Sequence, residues 1–305
     1  MTSSPEEHES LFIPILVMAF LFIIIHSLAL VVSSPFEEAG MEAFENPDDP
    51  LNIVYLFVII AAMTLVILLL AKFRKYFVKI LILFAVGYTA FYVFLPLLGL
   101  IIGWWWPLII AIALAIVLVT VLYKYPEWYI IDLSGIIIGA GAIAIFGISL
   151  GIFYILLFLI GLAIYDAISV YKTKHMIDLA DTVMDLKLPV LLVVPKIWNY
   201  SLIKETKRLK EQLESDEQRD AFFMGLGDVV MPGILVIAVY QATGCIRAAG
   251  GVMLGTLIGF AFLMFFVVKG KPQAGLPLLC GGAIAGYLIG SYLLFGELIG
   301  LTLPF

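Results

Sequence analysis

Runs of about twenty apolar residues recur along this chain of 305 residues, and nothing constrains its fold more. A helix of about 20 residues crosses roughly 30 Å of hydrocarbon. Inside lipid every backbone polar group needs an internal partner, so runs of this length are helices. Nine candidate spans can be read, approximately 10–32, 51–71, 76–98, 104–123, 130–148, 149–171, 221–241, 247–268 and 276–294. The fifth and sixth nearly fuse, and a turn near 147–151 is expected to part them. Composition supports the same solvent: 63% of residues are apolar and 13% charged, against about 45–50% and about 25% in a soluble domain. The first span is not expected to be a signal peptide, because its flank carries Glu6, Glu7 and Glu9 instead of basic residues and its apolar run is too long.

The basic residues set an orientation. With the N-terminus inside, all of the 17 Lys and Arg residues except Arg247 fall on the cytoplasmic side. The first outer loop is acidic (Glu37, Glu38, Glu42, Glu45, Asp48, Asp49), and Trp104, Trp105 and Trp106 fall at the outer interface. The expected fold class is therefore an all-α polytopic membrane protein with nine transmembrane helices, its N-terminus cytoplasmic and its C-terminus outside. Spans one to five (1–148) form an N-terminal scaffold. Spans six to nine (149–305) are expected to form a second part, with a cytoplasmic loop at 172–220. In that loop, 188–195 is apolar, β-branched and too short to span. It is expected to be an interfacial strand, a re-entrant piece or a linker. The charged stretch 203–219 is expected to be a surface helix or a linker. Glycines at four-residue spacing, Gly251, Gly255, Gly259 and Gly282, Gly286, Gly290, predict two helices in close backbone contact.

Several classes of function are disfavoured. No basic arm or aromatic-basic interleaving suggests nucleic acid. Cys245 and Cys280 lie near opposite ends of their apolar segments, which argues against a disulfide. His8, His26 and His175 are scattered and are read as structural or solvated. No metal-ligand spacing is present, and no cofactor is called for.

Charge in a membrane span is kept only where something offsets its cost, at least roughly 2.5–3.5 kcal/mol for Asp at a helix centre. Asp132 and Glu297 can reach an interface, which leaves Asp166 and Asp228 well inside. Counted along helices from Lys172 and Asp220, the two stand ~9 Å and ~12 Å deep, at 1.5 Å per residue. Their helices are antiparallel, so neighbouring helices would set the carboxylates face to face. Such a pair shares a proton: the charged member activates a water and the protonated member donates to the scissile carbonyl or the leaving amine. Glycines one and three positions before Asp228 leave room for a peptide backbone, and Gly227 in particular is expected to be needed for space. Tyr165 precedes Asp166 and is expected to pack on substrate or to supply a hydroxyl.

Tyr165-Asp166 in one span and Gly225-Leu226-Gly227-Asp228 in the next resemble the paired motifs of the presenilin and signal peptide peptidase family of intramembrane aspartyl proteases. The nine-span layout is similar as well, and the short loops resemble prokaryotic, archaeal members. The resemblance implies an intramembrane aspartic endopeptidase with Asp166 and Asp228 catalytic. Tyr165, Gly225, Leu226 and Gly227 would then lie at the substrate. The family's Pro-Ala-Leu at the start of the last span is not matched residue for residue. The nearest matches are Ala274-Gly275-Leu276 followed by Pro277, or Pro277-Leu278-Leu279. Gly275, Leu276 and Pro277 are expected either to be irregular and offer free backbone groups to substrate or to form an ordinary helix start with proline in its first turn.

Transmembrane protein or peptide substrates and the lipid bilayer are the expected partners, and a homo-oligomer is left open. An unwound substrate needs a partner for its backbone, which a strand can supply; 188–195 and 271–278 are the candidates. The competing readings are a prepilin-type peptidase, which also uses Gly-x-Gly-Asp, and a cation channel or proton-coupled transporter using the same aspartates.

Overall fold

In a computed structural model, residues 5–73, 75–103, 105–173, 190–197, 200–203, 221–269 and 273–301 are described. Eight helices among them are long and apolar enough to cross a bilayer, and a shorter apolar stretch runs through Leu51–Ile67. They are α1 (Pro5–Glu38), α2 (Leu51–Phe73), α3 (Lys75–Ile101), α4 (Trp106–Lys124), α5 (Trp128–Ser149), α6 (Ile152–Ile168), α7 (Leu226–Thr243), α8 (Ile246–Val268) and α9 (Leu276–Phe295). The chain is a mostly helical polytopic membrane protein. Large apolar side chains stand exposed along α2, α3 and α4, among them Val58, Phe84 and Ile116, as lipid-facing surface requires.

The sheath is peripheral and the core is central. Helices α5 and α7 are the most enclosed; α7 packs against α1, α5, α6, α8 and α9. Ile25 of α1, Ile143 of α5 and Leu235 and Val236 of α7 are fully buried in that core. The glycine spacing in α8 and α9 does what it predicts. A Cβ on Gly255 would collide with the Gly282 carbonyl, and one on Gly259 with the Leu278 carbonyl, so the two backbones touch. Cys245 and Cys280 are free.

The expectation of an all-α chain needs correction. Strand β1 (Leu191–Pro195) pairs antiparallel with β2 (Ala221–Gly225), in the register Leu191↔Gly225 through Pro195↔Ala221. The apolar segment of the 172–220 loop is thus a strand, with Leu188 and Pro189 outside the described residues. The seventh span begins five residues later than its apolar run does, because 221–225 finds a strand partner and the helix starts only at Leu226. The Leu226 N–H donates to the Val190 carbonyl at 2.9 Å, which ties the helix start to the sheet. Most of the expected surface helix at 203–219 lies outside the described residues, as do Trp104, Lys271 and Pro272.

Asp132 reaches that sheet from α5. It is buried, and its Oδ1 accepts the Val193 N–H at 2.8 Å. Read from sequence as able to reach an interface, it has a partner within the protein. In an antiparallel ladder, alternate pairs exchange hydrogen bonds and the intervening residues turn their N–H and C=O outward. The Leu226–Val190 bond fixes which are which: Leu192↔Met224 and Val194↔Phe222 exchange bonds, while Val193 and Phe223 face away from the partner strand. Asp132 therefore closes the outer edge of β1 at Val193.

Candidate active site

Asp166 lies in the last turn of α6, 3% exposed. Directly beyond that helix, Ser169–Thr173 continues as one turn of π-helix. The wider ring of a π-turn is a common local adjustment beside functional sites. The Asp166 Oδ2 accepts the backbone N–H of Leu276 at 3.0 Å, and the Gly275 N–H is a second backbone donor nearby.

Asp228 is the third residue of α7, and Gly225 is its extended N-cap, with φ −62° and ψ 132°. A carboxylate three residues after the cap can turn back toward the cap's own N–H, and the Gly225 N–H faces Asp228. A Cβ on Gly225 would stand 3.3 Å from the Asp228 Oδ2. A Cβ on Gly275 would stand 3.4 Å from the same oxygen. The start of the last helix thus faces both carboxylates: a Cβ on Gly275 would meet Asp228, and the Leu276 N–H bonds Asp166. The two aspartates are also within electrostatic reach of each other.

Depth counted along two helices does not explain this meeting, since a strand precedes α7. Packing explains it. Helices α6, α7 and α9 contact one another pairwise, and the start of α9 sits between the two carboxylates. Leu276 opens α9 and Pro277 occupies its first turn, where a missing N–H costs nothing. The expected irregular segment is thus confined to residues before Leu276. Its backbone is not free for substrate either, because Asp166 takes the Leu276 N–H.

The other predicted residues part company. The Tyr165 side chain is 63% exposed while Asp166 is buried, so the two point in different directions from α6. Leu226 is a core residue; its Cδ1 would lie 3.3 Å from a Cβ on Gly139 and 3.6 Å from one on Gly135. It anchors α7 to α5 and does not present itself to a substrate. Gly227 is exposed, and a Cβ there would meet nothing within 4 Å. The glycine that makes room for the carboxylate is Gly225.

Sequence reasoning passed over three neighbours of this site. Cys280, one turn along α9, is buried and close enough to feel both carboxylates. Asp132 fixes the sheet that leads into α7. His26 bonds the carbonyl of Val229, the residue after Asp228. Only spatial proximity distinguishes them; the linear signal of each is a single polar residue in an apolar run. Among the described residues no group of three or more His, Cys, Asp or Glu side chains is placed to hold a metal ion.

Residues 19–296 match the profile of a family described as signal-peptide peptidase, presenilin aspartyl protease. Two solved structures, each of a presenilin family intramembrane aspartate protease, are similar to the chain. One, in space group C222, is 35% identical, with a TM-score of 0.70; the match covers 92% of this chain and 99% of that one. The other, in space group P2, gives 35% identity, a TM-score of 0.69 and the same coverage. No curated protein gave a significant match.

Proposed function

Because this chain belongs to the signal-peptide peptidase and presenilin family of aspartyl proteases, we propose that Asp166 and Asp228 are its catalytic pair and that it hydrolyses peptide bonds within transmembrane helices of other proteins. It is an aspartic endopeptidase and a multi-pass integral membrane protein, and its substrates lie in the bilayer. The observation that carries the dyad is the shared contact with the start of α9. Asp166 accepts the Leu276 N–H at 3.0 Å, and a Cβ on Gly275 would stand 3.4 Å from the Asp228 Oδ2. In this reading nine spans cross the membrane with the N-terminus cytoplasmic and the C-terminus outside, and 149–305 forms the catalytic part on a scaffold of 1–148.

The chemistry follows from the pair. One carboxylate, ionised, takes a proton from a water as that water attacks the scissile carbonyl. The other, protonated, donates to the carbonyl oxygen and supports the tetrahedral intermediate. Proton return to the leaving amine completes the cut and restores the shared proton. The Leu276 N–H at Asp166 holds that carboxylate in one orientation throughout.

A helical substrate must unwind before attack, and its freed backbone needs partners. The register turns the N–H and C=O of Phe223 outward on β2, two residues before Gly225. Substrate added to that edge would run beside Asp228. β1 is the poorer candidate, since Asp132 occupies its outer edge at Val193. Gly227, open to one side of the motif, fits the passage of a peptide backbone. No observation favours the prepilin-type peptidase, channel or transporter readings.

The test is direct. Asp166→Asn and Asp228→Asn each keep the shape of the side chain and remove its proton chemistry. Both are expected to abolish cleavage of a single-span substrate by the purified chain while leaving its thermal melting close to wild type. Substantial cleavage by either variant overturns the dyad.

A further inference from the structure

His26 lies midway along α1, in the part of the chain read from sequence as scaffold, and it is 1% exposed. Its Nε2 stands 2.9 Å from the carbonyl oxygen of Val229. A carbonyl only accepts, so this nitrogen carries the proton and donates. The ring is held in place from two sides. Phe22 meets it edge-on, with centroids 6.0 Å apart and an interplanar angle of 78°. Gly233 makes room for it, since a Cβ there would stand 2.8 Å from Nε2 and 2.9 Å from Cδ2, as well as 2.6 Å from the Cδ1 of Ile143.

The bonded carbonyl belongs to the turn that carries Asp228. That turn lacks part of its own support. Pro232 lies inside α7 and has no N–H, so the carbonyl of Asp228, four residues earlier, has no helical donor, and the proline ring crowds it. The carbonyl next in line, that of Val229, receives a donor from another helix. Proline, imidazole and glycine thus form one device: Pro232 removes a bond, His26 supplies one beside it, and Gly233 admits the ring.

We infer that His26 is a positioning residue for Asp228, fixing from α1 the first turns of α7. This inference rests on the proposed role of Asp228. A buried histidine with a satisfied hydrogen bond can instead serve stability alone, and the two roles differ in what they move. A positioning role acts on kcat. A structural role lowers the amount of folded enzyme and leaves the kcat of the folded fraction alone.

Four single variants of the full chain, together with Gly233→Ala in a His26→Ala background, separate them, with a fluorogenic single-span peptide as substrate in detergent micelles and with thermal melting in parallel. His26→Phe keeps a ring and removes the donor. His26→Gln keeps a donor. Gly233→Ala leaves His26 intact and pushes the imidazole off the carbonyl. Asp228→Asn controls for the dyad. For His26→Phe, kcat per folded molecule is expected to fall about tenfold to a hundredfold with KM nearly unchanged, the scale of loss when a reacting group is displaced by a fraction of an ångström to one ångström. His26→Gln should recover much of that loss. Gly233→Ala should lower kcat in the wild-type chain, and in a His26→Ala background only the part owed to crowding Ile143 should remain, because the rest acts through the contact already removed. Should His26→Phe not fold, His26→Gln and Gly233→Ala read the same contact. Wild-type kcat in folded His26→Phe or Gly233→Ala, or a loss that follows the folded fraction alone, overturns the inference. Cleavage by the Asp228→Asn control overturns the dyad instead.

Discussion

At the scale of single residues, one methyl group is enough to tell the glycines around Asp228 apart. Adding it to Gly225 brings carbon to 3.3 Å from the Asp228 Oδ2, so the carboxylate must give by a few tenths of an ångström, whereas at Gly275 it stands at 3.4 Å, an ordinary contact. Gly225→Ala is therefore expected to fold and to lower kcat by about threefold to tenfold, a fraction of the loss a full ångström would bring, and Gly275→Ala to lower it less. Gly227→Ala adds its methyl to open space. It should melt as wild type does and keep its kcat, with any loss confined to KM through contact with the substrate. Steady-state kinetics on the three variants at matched expression decide the order; a kcat defect in Gly227→Ala larger than that in Gly225→Ala would reverse it. The pair itself predicts a pH profile. At low pH both carboxylates are protonated and no base remains; at high pH both are ionised and no acid remains. The rate on a stable peptide should pass through a maximum and fall on both sides. A rate that climbs steadily into alkaline conditions would speak for another mechanism.

At the scale of elements, the short sheet is more than a linker. β1 is fixed on one side by β2 and on the other by Asp132, so growth of the sheet is directed to the outer edge of β2. The ladder register makes this testable with proline. Phe222 exchanges hydrogen bonds with Val194, so Phe222→Pro breaks the sheet itself, whereas Phe223 turns its N–H outward. Phe223→Pro removes only the outward donor. It should leave melting within a few degrees of wild type and raise KM for a transmembrane peptide several-fold, the cost of one lost main-chain bond at about 0.5–1.5 kcal/mol. Phe222→Pro should instead lower stability. Equal KM values for Phe223→Pro and wild type would show that substrate does not add to this edge.

At the scale of the whole molecule, the sequence speaks clearly where lipid alone decides and weakly where a distant partner decides. The apolar runs are legible because a bilayer demands only length and apolarity, and the Gly255 and Gly282 spacings because close backbones demand missing side chains. The run from Ala221 looks like the start of a helix because Phe222, Phe223 and Met224 suit either state; pairing with β1 makes it a strand. The partnerships of Asp132 with Val193 and of His26 with Val229 span 61 and 203 residues, and no local pattern marks them. The two aspartates were legible because charge in lipid needs a reason, but their meeting depends on a third helix. That dependence yields a prediction about α8, which packs along α9. Gly259 lies against the carbonyl of Leu278, two residues after Leu276, whereas a Cβ on Gly290, toward the other end of α9, would have 3.7 Å to its nearest neighbour. A methyl at Gly259 must push the start of α9 away from α8, because backbone and not a flexible side chain stands in its path. The shift carries the Leu276 N–H relative to Asp166. Gly259→Ala should therefore cost about 1–3 kcal/mol of stability, the usual range for overpacking, and in addition lower the kcat of the folded fraction. Gly290→Ala meets only ordinary van der Waals contact and should leave both quantities near wild type. Denaturation of the two variants together with kcat per folded enzyme tests the link; if Gly259→Ala loses stability yet its folded fraction turns over at the wild-type rate, the start of α9 does not set the geometry of Asp166.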